Sequence, residues 1–92
     1  MNHVVFFKLP DLDTAREAAT RLRSLEQLVP SLASIEVGVD EVRSARSWDV
    51  CLITRFADDA AYEAYRVHPD HVAVVGWLKS VGVQTAAVDW RA

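Results

Sequence analysis

Ninety-two residues make one domain, spanning 1–92, near the size at which a monomer buries only about 60–65% of its unfolded-chain surface. The chain is 51% hydrophobic and 25% charged, with three glycines and three prolines, which excludes disordered, collagen-like and low-complexity classes. A formal charge of −3 and ten scattered basic residues argue against a nucleic-acid binder, which needs clustered Lys and Arg to displace counterions.

No apolar run approaches the roughly 18 residues of a membrane span, and Met1 to Lys8 has no basic stretch ahead of its apolar residues. A cytoplasmic protein without a membrane partner is expected. The lone cysteine, Cys51, lies within Val50-Cys51-Leu52-Ile53 and reads as a small core residue, since no base is near it in sequence.

Residues 3 to 9 read as a strand closed by Pro10, with His3, Val5, Phe7 and Leu9 on one face and Val4 and Phe6 on the other. Apolar residues of both parities predict a central strand covered on both sides. A helix follows, with Asp11, Asp13 or Thr14 as its cap and Thr14-Ala15-Arg16-Glu17 fitting a capping box. Its apolar stripe runs through Leu12, Ala15, Ala18 or Ala19, Leu22, Leu25 and Leu28 or Val29, and Glu17 and Arg21 form an i, i+4 pair outside. Pro30 ends it.

Residues 33 to 39 alternate apolar and polar as a half-buried strand near a sheet edge, and 40 to 47 form a polar loop. Trp48 to Phe56 is a third strand, apolar on both faces and placed beside the first. Asp58 or Asp59 then caps a helix bearing Ala61, Tyr65 and His68 on one side. Pro69 interrupts it and fits the first position of a new helix running to about Val81, with Lys79 in the last turn and Gly82 just beyond. Val83 to Trp90 is the final strand.

The order β-α-β-β-α-β, with its second helix broken, predicts an α+β fold: a ferredoxin-like sandwich whose helices cover one face of a four-stranded antiparallel sheet. The opposite face carries Val4, Phe6 and half of the third strand, so a second copy is expected to cover it in a homodimer.

The run Tyr65-x-x-His68-Pro69-x-His71, with the opening His3-Val4-Val5-Phe6-Phe7-Lys8, the Pro30 turn, Ile35-Glu36-Val37-Gly38 and the Asp49 to Phe56 strand, resembles the stress-responsive dimeric α/β-barrel (Dabb) family along essentially the whole chain. The resemblance implies a ferredoxin-like fold that dimerises sheet to sheet into a barrel. One plant branch, the olivetolic acid cyclase type, cyclises a linear polyketide thioester by an intramolecular aldol reaction without a cofactor. It uses a tyrosine and a histidine at the places of Tyr65 and His71. Residues matching His3, His68 and Asp89 lie in or around its pocket.

An aldol cyclisation needs a base for a carbon acid and a donor for the oxyanion that develops. His71, third in the new helix, sits in the positive end of the helix dipole, which favours the neutral imidazole able to take a proton. Tyr65 supplies a phenol across the break. His3 and Asp89 stand on neighbouring antiparallel strands with the same parity, so Asp89 is expected to accept a hydrogen bond from His3 or His71 and fix its tautomer. His68, before proline, reads first as a capping residue.

His68-x-x-His71 with only Asp70 beside it falls short of a usual ligand set, so no metal and no cofactor are expected. Three functions compete: a cofactor-free acid–base cyclase or lyase on a carbonyl or polyketide-like compound, a noncatalytic module holding a small apolar ligand, and a cofactor-free or haem-dependent monooxygenase, which rests on the barrel architecture alone.

Overall fold

Strand β1 (Asn2–Lys8) pairs antiparallel on one side with β3 (Val50–Arg55) and on the other with β4 (Gln84–Trp90). Strand β2 (Ser34–Val39) completes the sheet against β3, giving the order β2-β3-β1-β4. The computed structural model describes residues 1–91. The two strands with apolar residues on both faces are the two central ones, and the cleanly alternating β2 is an edge. Helices α1 (Leu12–Leu28), α2 (Asp59–Arg66) and α3 (Pro69–Ser80) provide the covering layer.

Helix α1 starts where Asp11, extended at φ −153°, turns its carboxylate onto the Thr14 N–H at 2.7 Å. The Thr14–Glu17 capping box is not used, because Thr14 is already inside the helix and receives no cap role once Asp11 has taken its N–H. Ala15, Ala18, Ala19, Leu22 and Leu25 are buried. Three alanines on this stripe let the helix axis approach the sheet closely. Leu12 and Leu28, expected on the stripe, lie exposed at the helix ends, and Val29 is buried instead. Glu17 and Arg21 pair at 2.9 Å on the outside, where such a contact contributes only a few tenths of a kcal/mol.

Under the helices the core is built from Val5, Phe7, Val50 and Leu52 with Phe56, Tyr65, Val74 and Leu78. Thr54, completely buried among them, donates its hydroxyl to the His3 carbonyl at 3.2 Å. Asp49 precedes β3 and is buried as well. Its carboxylate accepts the Leu9 N–H at 2.7 Å and pairs with Arg43 at 2.9 Å, tying the β2–β3 loop to the end of β1. These bonds place Trp48 and Asp49 before the strand, not within it.

The break at Pro69 has a definite construction. Helix α2, capped by Asp58 on the Ala61 N–H, ends at Arg66, so His68 is not part of its face as the sequence had suggested. His68 is extended at φ −62° and ψ 135°, as the residue before proline must be, and becomes the N-cap of α3, with Pro69 at the first helical position. At the other end Gly82 adopts φ 80°. Its N–H reaches the Lys79 carbonyl and that of Val83 reaches Leu78, a Schellman closure that only a residue without a Cβ enters freely.

The other face of the sheet has no helices. Phe6, Val88 and Trp90 are exposed there, with Val4 and Ile53 half-buried between them. Cys51, expected as a small core residue, also lies on this face, half-buried between Phe6 and Gly38 in the strand register. The reason is parity: Val50 and Leu52 face the helices. Burial, and then the Glu36 carboxylate, raise the Cys51 thiol above its ordinary pKa, which disfavours the thiolate.

Candidate active site

His71 is the third residue of α3, and the turn before it decides how its ring is held. Its Nδ1 lies 3.0 Å from the Arg66 carbonyl. A carbonyl only accepts, so Nδ1 carries the proton and the lone pair of the neutral ring is on Nε2. Burial lowers the His71 pKa, and the hydrogen bond to Arg66 opposes that shift only in part. The cause that dominates is desolvation; the ring is a neutral base at neutral pH.

Tyr65, on the last turn of α2, packs its ring against His71 with centroids 4.2 Å apart and planes tilted by 42°. Only 1% of Tyr65 is exposed, and its buried hydroxyl has no hydrogen-bond partner among the described residues. Burial pushes its pKa far above the ordinary phenol value, with the Tyr62 hydroxyl adding to the shift, so the group stays a proton donor. An orphaned buried hydroxyl costs about 1–3 kcal/mol.

His3 and Asp89 face each other across the β1–β4 ladder, and Nδ1 of the imidazole meets a carboxylate oxygen. The contact puts a proton on Nδ1, facing the carboxylate. Tyr62, one turn before Tyr65, packs its ring at a tilt against His3 at 5.4 Å and edge-on against Phe56 at 5.3 Å. His68 differs from both other histidines. Its Nδ1 accepts the Asp70 N–H at 3.1 Å, which is the capping bond of α3, and the residue does not line the cavity described next.

His3, Tyr65 and His71 converge on one cavity of about 340 Å3 between α3, α1 and the sheet. Its walls are apolar: Val5, Phe7, Leu22, Leu52, Val74, Val75, Leu78 and Val83. Thr85 and Lys79 complete the lining. A larger hollow, about 470 Å3, lies across the other side of the sheet beside Phe6, Gly38 and Trp48. It is more open, and its buried carboxylate, Asp49, is already committed to Leu9 and Arg43. The smaller cavity is the one that gathers His3, His71 and Tyr65. Among the described residues no group of three or more His, Cys, Asp or Glu side chains is placed to hold a metal ion.

The pattern of the Stress responsive A/B Barrel Domain matches residues 1–92. The chain belongs to this Dabb family. No curated protein sequence matches it. Among solved structures, this A/B barrel domain is similar to a dimeric protein of unknown function and ferredoxin-like fold from Bacteroides fragilis, with TM-score 0.77 and 22% identity over 97% of this chain and 94% of that one. A dimeric ferredoxin-like protein of unknown function from Thermobifida fusca gives 0.76 and 21% over 97% and 89%. A hydroxynitrile lyase from Passiflora edulis gives 0.72 and 12% over 99% and 94%. At these identities the likeness concerns the fold.

In this A/B barrel domain the structure brings together four of the five residues singled out from sequence, His3, Tyr65, His71 and, through His3, Asp89. His68 stands apart as a cap. Tyr62, Thr54, Lys79 and Thr85 were not singled out. The eight-residue spacing of His71 and Lys79, a little over two turns of about 3.6 residues each, was the one available signal that they lie on the same side of the helix. No helix of the described residues is long and apolar enough to cross a membrane.

Proposed function

We propose that this protein is a cofactor-free acid–base catalyst, of cyclase or lyase type, acting on a carbonyl compound in the cavity between α3 and the sheet. The observation that carries the reading is the packing of the Tyr65 ring, whose buried hydroxyl is unpartnered, against a neutral His71 at the wall of an apolar cavity. A ligand carbonyl accepting from Tyr65 would satisfy the orphaned donor.

In the reaction, His71 Nε2 removes a proton from the carbon next to the carbonyl, and the electron pair moves onto the carbonyl oxygen. Tyr65 donates to that oxygen as its charge grows. In an aldol closure the enolate carbon attacks a second carbonyl, and the resulting alkoxide takes the proton back from the imidazolium. Asp89 holds His3 in one tautomer, so that His3 presents Nε2 to the same cavity as a supporting acceptor.

Two copies are expected to pair through the uncovered sheet face. Phe6, Val88 and Trp90 form an apolar surface there that a single chain leaves in water, and the Bacteroides and Thermobifida proteins of the same fold are dimeric.

Turnover of carbonyl compounds, polyketide-like ones included, by wild type and by His71→Ala tests the reading. Turnover that disappears in His71→Ala supports it. Turnover unchanged by that substitution removes the assigned base, and saturable binding without turnover in wild type leaves a noncatalytic ligand-binding module.

A further inference from the structure

The cavity is polar at both ends and apolar between them. His71 and Lys79 line it from the same helix, eight residues and so about 12 Å apart along the axis. The sheet repeats this division. His3 lies opposite Asp89 at one end, and Thr85 lies opposite Phe7 four residues further along β1, about 13 Å away. Val5, Leu52, Val74, Val75 and Leu78 lie in the intervening walls.

A lysine in the last turn of a helix is favoured by the helix dipole alone. That explanation does not require its side chain to line a cavity. Among the described residues Lys79 has no carboxylate within ion-pair distance; Lys8, Arg23, Arg46 and Arg55 share that feature, but of these five cations Lys79 alone lines the cavity. One cation and one hydroxyl at the Lys79 end match a singly charged anion better than a phosphate, which would call for more donors.

We infer that the cavity selects a medium-chain carbonyl compound ending in a carboxylate, with the carboxylate at Lys79 and Thr85, the chain along the valine and leucine walls, and the carbonyl at Tyr65 and His71. Lys79 is thus a specificity-determining residue. The inference rests on the cavity being the substrate site proposed above, but not on His71 acting as a base.

Calorimetric titration with octanoate and with octanamide, which has the same chain without the charge, tests it. Wild type should bind octanoate about fivefold more tightly, the upper range for an ion pair with an exposed lysine. Lys79→Met should reduce that ratio to one while leaving octanamide affinity unchanged, and added salt should reduce it in wild type. His71→Gln should leave the ratio intact. Equal affinities in wild type, a ratio that survives Lys79→Met, or no binding of either probe overturns the inference. A ratio that behaves as stated, in a protein whose turnover is insensitive to His71→Ala, overturns only the acid–base reading.

Discussion

The rings of His71 and Tyr65 meet at 4.2 Å across the break between α2 and α3, although one residue opens a helix and the other closes one. Helical periodicity does not bring residues six apart face to face. The extended His68 and the proline after it turn the chain so that they do meet, and the pair becomes a base and a donor at one wall of the cavity.

The His71 imidazole should titrate below 6.5, because burial disfavours its charged form. The rate follows the neutral ring, so the acid limb of kcat/KM should have its midpoint below pH 6.5. Stability has the same sign. The unfolded chain binds this proton first as pH drops, so the contribution is complete above about 6.5 and is lost as pH falls through the lower folded value. An NMR titration of the ring checks both, and a midpoint at or above 6.5 would contradict them.

Tyr65→Phe removes a hydroxyl that has no partner in the folded chain. Thermal stability should therefore stay level or rise. Turnover should fall by about 100-fold, the usual effect of deleting one oxyanion donor. A variant that loses stability and keeps its rate would make Tyr65 a structural residue.

Asp49→Ala should be among the more damaging single substitutions. It strands the Leu9 N–H, which is bonded to the buried carboxylate, and leaves Arg43 with only its longer contact to Asp40. The expected loss is about 2–3 kcal/mol, or a melting temperature lower by about 10 °C or more. Thermal unfolding at fixed protein concentration measures it. A shift of only a few degrees would mean that water replaces the carboxylate.

Val88→Lys places a charge in the middle of the uncovered sheet face. Val88 is 62% exposed in the single chain, so the fold itself should tolerate the change. Sedimentation equilibrium should give a dimer for wild type and a monomer for the variant. A monomeric wild type, or a dimer that survives the substitution, would place any self-association elsewhere.

The architecture was legible because the patterns that encode it are local. Apolar residues of both parities marked β1 and β3 as the central strands, and Pro69 marked the start of α3. The shared parity of His3 and Asp89 became a direct contact once β1 and β4 were neighbours. The site was harder to read where it depends on distances between elements. Nothing near Tyr65 in sequence says that its hydroxyl is left without a partner. Lys79 looked like an ordinary helix-end residue because the cavity it lines is made by β1, β3 and β4 as much as by α3. Cys51 read only as a core residue, because a strand apolar on both faces gives no sign of which face the helices take.

Proton exchange tests the central claim most directly. With a medium-chain methyl ketone in deuterium oxide, NMR follows deuterium entering the carbons beside the carbonyl, a step that needs a base and an oxyanion donor but no knowledge of the natural substrate. Wild type should accelerate exchange above the buffer rate, with saturation in ketone, and His71→Ala should return it to that rate. Exchange no faster than in buffer, or equally fast in wild type and His71→Ala, would contradict the account.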